Sequence, residues 1–492
     1  MGKYWLEPER NIEIFDECDI LVVGGGSAGH SAAIAAARAG AKNIILLERY
    51  GYMGGDVTGG YVIMVPSLSY KDKSFVRGIQ EEWFTRMANI PGAVLGPEGK
   101  EVGSEKPEDI YKWAPIFDAV SSCPDSPKRV VRSVYFEPNQ LKIEMDKMLF
   151  EERDRIRVYC HTWATRPIME GDLIKGVVFE SKEGRKAILA KVVIDATGDG
   201  DIFSQAGAAY EEIMDKNTRC ANTALVWRAG GCDFEKFFRS SMQNPESMMK
   251  VFKGLGETFG HRCIPLPTPR NDIVWFNNWI GPMLCTDIKD LTATEMDSRD
   301  KIRGVMDFLR ENVAGFENAF LYDIAPQTGN RCSRRLKGEY YLTPFDFAFH
   351  NEFDDVIAWH STVCKINDSA PIEIPYRTIL PVGVENLLAP GRHLSADNVA
   401  IDWVSLIPQC IGTGQAAGIA AAVAIEDGST VHTVNIKKVQ DILVAQDVPL
   451  PRRKDVDPEL TEVCEANNWG LYTEMAKKAA ADPEEFKKYR QW

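Results

Sequence analysis

The sequence has no long apolar run. Its most apolar late stretch, Ala416 to Ile425, is alanine-rich and far short of the roughly 20 residues that span a bilayer, which suits a packed helix. There is no long basic run either. Lys and Arg number 57 against 71 Asp and Glu, a formal charge of −14, so a phosphate-tracking nucleic-acid surface has little support. The N-terminus, MGKYWLEPERNIEIFDECD, mixes charges into every turn and lacks the apolar core of a signal peptide. These absences predict a cytoplasmic protein with a small-molecule partner, without nucleic acid or membrane. The eleven cysteines contain no C-x-x-C and no tight cluster, and the seven histidines contain no H-x-x-x-H or H-E-x-x-H. A disulfide framework, an iron-sulfur motif and a metal site are therefore not expected.

What is present is a chain of 492 residues, 45% hydrophobic and 26% charged, enough for two or three domains with substantial cores. Asp19 to Val23 is a short β-branched run; Gly24, Gly26 and Gly29 follow at G-x-G-x-x-G spacing; Ser31 to Ala39 is a strong helix former. In a strand-turn-helix of this kind the first glycine permits the tight turn. The second lets backbone N–H groups approach phosphates, the third lets helix and strand pack closely, and the helix N-terminus adds partial positive charge. A second strand, Asn43 to Leu47, ends in Glu48, where an acidic side chain takes the ribose hydroxyls of an adenosine. His30 belongs to the first helical turn as a surface or packed histidine, with no catalytic role assigned.

Distant segments decide between a nicotinamide that comes and goes and a flavin that stays. YGYMGGDVTGG, residues 50–60, offers Gly54, Gly55, Gly59 and Gly60 for close backbone approach and Thr58 for a hydrogen bond. A hairpin, Leu173 to Ser181 and Lys186 to Ile194, leads into DATGDGD at 195–201 and then a helix-like IFSQAGA. Near the C-terminus NLLAPGRHLSAD (386–397) enters a glycine turn, and IPQCIGTGQAAGIAAAVAI follows. In that last helix Gly412, Gly414 and Gly418 would let one face lie close to a flat ring, and its N-terminus would stabilise negative charge on a reduced flavin.

With these motifs in view, and with GNRCSRRLKGEYYLT (329–343) and IPYRTILP (374–381), the chain resembles the FAD-dependent oxidoreductases of the glutathione-reductase-like superfamily. It is similar in particular to the branch related to fumarate reductase and aspartate oxidase flavoproteins. The resemblance implies noncovalent FAD. Gly24, Gly26, Ser27 and Gly29 would hold the pyrophosphate and Glu48 the adenosine ribose, Ala28 and Arg49 would also bind the cofactor, and Gly54, Gly55 and Thr58 would approach the phosphates and flavin. Ala196, Thr197 and Gly198 would pass the adenosine side, while Gly391, Asp397, Gly414, Gln415 and Ala416 would approach the ribityl chain and ring. Where many relatives have Gly-Asp or Gly-Glu at the ribityl position, this chain has Gly391-Arg392. The implied architecture is α/β: a Rossmann-like, three-layer FAD-binding domain from residues 1–60, 138–206 and 377–432. A contribution from 61–137 and an inserted α+β substrate or cap domain at 207–376 complete the body, and 433–492 form a helical C-terminal tail that packs on it or on a sister subunit.

Arg331, Arg334 and Arg335 crowd into five residues, and Arg392 comes in a segment expected to return beside the flavin. An arginine fork recognises a carboxylate or stabilises an oxyanion; equally, such arginines hold acidic neighbours and tie cap to FAD domain. His360 and His393 are the first candidates for the acid or base, with Tyr340 and Asp402 next. Cys332 stands amid the arginines, where a thiolate is favoured, with no second cysteine in disulfide reach by sequence. The expected function is hydride transfer between a small polar or anionic organic substrate and flavin N5, in either direction, with a separate unidentified electron acceptor or donor. The alternatives are a flavin monooxygenase and an FAD-carrying electron-transfer or assembly subunit.

Overall fold

The computed structural model describes residues 4–451 other than 67, 71, 75, 117, 122–127, 213–221, 282, 344, 347–350, 361–371 and 399, and without the side chain of His360. Most of the expected C-terminal tail therefore lies outside the described residues; within them, Ile436–Ala445 is helical.

A seven-stranded sheet organises the chain. Strand β1 (Glu13–Val23) is longer than the run of β-branched residues predicts. It pairs in parallel with β2 (Ile44–Leu47), and β2 in turn with β3 (Ile156–Tyr159). On its other edge β1 pairs in parallel with β6 (Gly184–Asp195) over its whole length, so that Glu13 lies opposite Lys186 and Val23 opposite Asp195. The expected hairpin is present: β5 (Leu173–Ser181) runs antiparallel to β6 and is followed outward by β4 (Trp163–Glu170). Beyond Leu189, the last residue of β6 paired with β5, Leu387–Leu388 joins β6 in parallel. The result is a mixed α/β fold with a parallel core.

The period-2 alternation of strands sorts the core into two faces. Ile20, Val22, Ile44, Leu46, Val192 and Ile194 pack with the alanines of α1 (Ser27–Arg38) and of the long helix α2 (Ile407–Asp427). On the opposite face Leu21, Val23, Ile45 and Val193 pack with Phe179, Ile188 and Phe203. Strands buried on both sides read as continuous apolar runs, as parallel sheets require.

The seam between α1 and α2 explains the small residues of GTGQAAG. A Cβ on Gly414 or Gly418 would fall inside the van der Waals shell of the Ala28 or Ala32 carbonyl oxygen. Ser31 Oγ adds bonds to the carbonyls of Ser27 (2.8 Å), Ala28 (3.0 Å) and Ile411 (3.1 Å). The expectation that this glycine face meets a flat ring is corrected at Gly414 and Gly418, where α1 occupies it, while Gly412 faces Ala358. A second correction concerns IFSQAGA, which forms turns and not a helix. Gly200 and Gly207, both at positive φ, bracket a segment too short to nucleate one.

Residues 227–324 build a separate antiparallel sheet in the order Arg262–Leu266, Ile273–Trp279, Trp227–Gly230, Phe320–Ile324. Helices Phe234–Gln243, Pro245–Phe259 and Ile288–Asn312 accompany it, and Trp227 stacks on Phe276 and Phe259 with centroids 4.6 and 5.5 Å away. Arg228 ties this body to the large sheet's neighbourhood. Fully buried, it forks onto Asp323 and reaches Glu137 at 2.6 Å; its guanidinium lies 4.9 Å from the Tyr61 ring. Among the described residues no helix is long and apolar enough to cross a membrane.

Candidate active site

The strands β1, β2 and β6 end together at Val23, Leu47 and Asp195, and a groove opens beyond them, where open α/β sheets bind ligands. Its lining draws on the first glycine loop, the end of β2, residues 162–164, the 196–201 turn and the 390–392 turn. It continues along Gly55, Asp56, Gln327 and Asn330 and ends at the start of α2, with Ser405, Ile407 and Cys410.

Each glycine of the first loop has a separate cause. Gly24 has φ +100°, and a Cβ there would stand 2.5 Å from the Ala196 carbonyl oxygen. A Cβ on Gly29 would overlap the Gly24 carbonyl, so the third glycine serves helix-strand packing. Around Gly26 the nearest atom to such a Cβ is Gly55 Cα at 4.0 Å; this open side belongs to the groove lining. The N-terminus of α1, with Ser27 and Ala28 in the lining, presents unpaired N–H groups to an anion.

Glu48 is buried, yet lines the groove. Its Oε2 accepts from Gly25 N–H at 2.6 Å and its Oε1 from Tyr50 N–H at 2.8 Å; each oxygen keeps a further lone pair for a ligand hydroxyl. Burial raises its carboxyl above the usual range despite those two bonds. Arg49 lies over the rings of Tyr50 (4.9 Å) and Trp163 (5.3 Å). The loop after β2 is tied to the first by Gly54 N–H to the Gly25 carbonyl at 2.8 Å. Within it Gly54 and Gly55 are left-handed, and buried Thr58 donates to the Met53 carbonyl. Thr58 and Gly54 thus shape the loop, and Gly55 and Asp56 reach the groove.

On the far wall lie Ala196, Thr197, Gly198, Gly391 and Arg392. Gly391, at φ +103°, donates its N–H to Thr413 Oγ at 3.1 Å. Arg392 Nη2 meets Asp199 Oδ1 at 2.6 Å, and Ser333 Oγ donates to the same oxygen at 2.6 Å. Burial works against the ionised Asp199, but Arg392 and Ser333 outweigh it and hold the carboxyl below its usual range. Arg392 Nη1 is buried and has no hydrogen-bond partner among the described residues.

Several expected site residues are engaged elsewhere. His393 is fully buried, with Nδ1 accepting from Gly200 N–H at 3.1 Å and Nε2 donating to the Asp195 carbonyl at 3.0 Å. Both nitrogens are used within the protein and burial lowers its pKa. Tyr340 donates to Asp346 at 2.6 Å and packs on Phe353, outside the groove lining. Arg331 pairs with Asp402 (3.1 Å), Arg334 with Asp201 (3.0 Å) and Arg335 with Glu211 (2.9 Å), as the ion-pair alternative describes. Asp397 accepts from Ala400 N–H at 2.6 Å, just before the short helix Ile401–Val404. Gln415 bonds Ile79 N–H and Gln446, and Ala416 is buried in the helix seam; with Gly414 they stand off the lining. His360 ends a strand, and its side chain lies outside the described residues.

Cys332 does have a cysteine neighbour: the Cys285 thiol donates to its carbonyl at 3.0 Å, and burial pushes that thiol up to about 12. His30 is buried, bonded through Nε2 to the Met145 carbonyl (3.2 Å) and packed near Trp83. Desolvation pushes it down to about 4, which keeps it neutral. Asp56, Gln327, Asn330, Ser405 and Cys410 were not singled out by sequence reasoning. Asp56 alone had a local signal, as the one acid inside GGDVTGG. Among the described residues no His, Cys, Asp and Glu cluster could hold a metal.

The groove therefore combines a phosphate-sized glycine loop at a helix N-terminus, an acid at the end of the second strand, and a buried unpartnered guanidinium N–H. Comparison with known proteins follows the same line. Over 239 residues the chain is 48% identical to urocanate reductase from Eggerthella lenta, covering 46% of this chain and 38% of that protein. Among solved structures, a geranylgeranyl bacteriochlorophyll reductase-like protein from Thermoplasma acidophilum aligns over 96% of this chain and 98% of its own at 16% identity and TM-score 0.45. The p-nitrophenol 4-monooxygenase PnpA from Pseudomonas putida aligns over 96% and 97% at 12% identity and TM-score 0.44. The family model described as FAD dependent oxidoreductase matches residues 19–443. The chain belongs to the FAD-dependent oxidoreductase family and is an enzyme that uses FAD.

Proposed function

We propose that this enzyme transfers a hydride between a small anionic organic molecule and noncovalently held FAD. The observation that carries the reading is the single groove in which Glu48, the open side of Gly26 and the unpartnered Arg392 Nη1 all take part. Gly24, Gly26, Ser27 and Ala28 would hold the pyrophosphate, and Glu48 the adenosine ribose. Gly55, Asp56, Gly391, Arg392 and the start of α2 would face the ribityl and ring end. FAD supplies the two-electron acceptor or donor. The protein's part is to orient the ligands, exclude water and place Arg392 Nη1, a donor that is always charged, where a carboxylate or phosphate oxygen satisfies it.

The body at 227–324 acts in this reading as the substrate cap, tied by Arg228 to Glu137. The likeness to a protein named for reducing urocanate supports reduction of an unsaturated carboxylate as the working direction.

The test is anaerobic. Yellow holoenzyme is mixed with a panel of small acids, amines and alcohols, and dithionite-reduced holoenzyme with unsaturated carboxylates, while the flavin absorbance is followed. The expected result is bleaching or reoxidation by a carboxylate. Bleaching by NADPH, with oxygen then consumed alongside substrate, replaces the reading with a hydroxylase. Colourless protein that cannot take up FAD removes it.

A further inference from the structure

Asp56 occupies the single turn Gly55–Val57 directly after two left-handed glycines, with φ +107° at Gly54 and +54° at Gly55. Its backbone is fixed on both sides: Gly54 N–H bonds the Gly25 carbonyl at 2.8 Å, and the Asp56 carbonyl accepts from Val62 N–H at 2.9 Å. The side chain shares the groove wall with Gln327 and Asn330, which lead into the arginine segment, and with Arg392, Ser405 and Cys410 from the C-terminal return. The Asp56 carboxylate accepts from Gln327 Nε2 at 3.5 Å. Tyr52 donates its hydroxyl to Gln327 Oε1 at 3.1 Å, which turns the amide's N–H side toward Asp56.

The other carboxylates of the groove and its thiol are committed. Glu48 takes two backbone N–H groups, Asp201 is paired with Arg334, and the Cys410 thiol, pushed up to about 12 by burial, stays neutral. The charges bearing on Asp56 are Arg392, Asp199 and Arg49. Arg392 gives its short bond to Asp199. The two acids are driven apart: Arg392 and Ser333 hold Asp199 ionised, whereas desolvation raises the half-buried Asp56 so that it retains a proton more readily.

We propose that Asp56 is the acid-base residue of the reaction, exchanging a proton with the substrate at its carboxylate oxygen, with Gln327 as its positioning residue. The inference rests on the hydride-transfer reading above. In oxidation a substrate C–H bond breaks and its electron pair leaves as hydride to FAD, which is reduced. The proton that leaves the oxidised substrate forms an O–H bond on Asp56. In reduction the hydride returns to one carbon of a double bond, and the Asp56 O–H gives its proton to the other.

The experiment compares Asp56→Asn and Asp56→Glu with the wild-type holoenzyme. FAD content and complete bleaching by dithionite are expected to be retained in both. The midpoint potential of the flavin, measured by dye equilibration from pH 4.5 to 8.5, is expected to bend in the wild type where Asp56 titrates, and to lose that bend in Asp56→Asn. With the panel compound that reacts with the wild type, Asp56→Asn is expected to slow flavin bleaching or reoxidation by roughly 100-fold or more, and Asp56→Glu to recover part of it. A bend that persists in Asp56→Asn, or a wild-type rate, overturns the assignment. If no compound reacts with the wild type, the hydride-transfer reading fails, and the potential curve still decides whether Asp56 titrates at the flavin. Should Asp56→Asn lose FAD, Gln327→Leu replaces it; a shifted bend is then expected, and an unmoved one counts against the proposal.

Discussion

The guanidinium of Arg392 meets the carboxylate of Asp199 at 2.6 Å across 193 residues of sequence, joining the last glycine turn to the DGD turn after β6. The acid that balances Arg392 comes from another segment. Removing one partner of a buried pair leaves an uncompensated charge and costs about 3–5 kcal/mol. Arg392→Leu is therefore expected to lower the melting temperature sharply and to purify with little FAD, read by the ratio of flavin to protein absorbance. Arg392→Lys is expected to recover stability without full flavin occupancy, because an ammonium cannot reproduce the fork.

The α1–α2 seam predicts a contrast between glycines. Gly414→Ala and Gly418→Ala place a methyl group into the Ala28 and Ala32 carbonyls, and overpacking of this kind costs about 1–3 kcal/mol. Gly304, inside Ile288–Asn312, has only Thr258 Cγ2 near, at 3.5 Å. Gly304→Ala is expected to be neutral or to stabilise by up to about 1 kcal/mol through helix propensity. Thermal unfolding of the three variants checks the ranking.

Asp201 lines the groove with its pKa raised to about 6, first by burial and then by Asp199 and Asp195. A raised acid binds more protons folded than unfolded, so its contribution to stability falls as pH rises from the ordinary 3.8 through about 6. The penalty at neutral pH is on the order of 2–3 kcal/mol. Asp201→Asn is expected to melt higher at pH 7.5 and to flatten the decline between pH 4 and 6.5.

His393 supplies the opposite sign. Burial lowers its pKa from 6.5, so the native state prefers the neutral ring, and the stability this gives is lost as pH falls below 6.5. His393→Asn is expected to lower the melting temperature at pH 8 while leaving the shape of the turnover–pH profile unchanged. A profile that loses a limb would restore the histidine to the chemistry.

Much of the fold was legible because its causes are local. The strand-glycine-helix of residues 19–39 and the hairpin before DATGDGD follow from β-branched runs and glycines a few residues apart. The end of β2 at Leu47, just before Glu48, follows in the same way. What was illegible depends on distant partners. Nothing near Arg331 announces Asp402, and nothing near His393 announces that Asp195 and Gly200 will use up its ring. The GTGQAAG glycines were legible as a close approach but not as to what approaches: a helix backbone fits the same pattern as a flat ring. Asp56 stood in plain view inside a glycine motif, and only the groove distinguishes it from a solvated loop acid.

The Ser31 hydroxyl reaches the Ile411 carbonyl over 380 residues. A ribosome therefore delivers the first glycine loop long before the helix that braces it, and translation proceeds from the N-terminus at about 5–20 residues per second. The nascent chain spends most of its synthesis with α1 lacking its mate. Flavin loading must then wait for the last fifth of the chain, and nascent chains halted before residue 407 should emerge colourless however much FAD surrounds them.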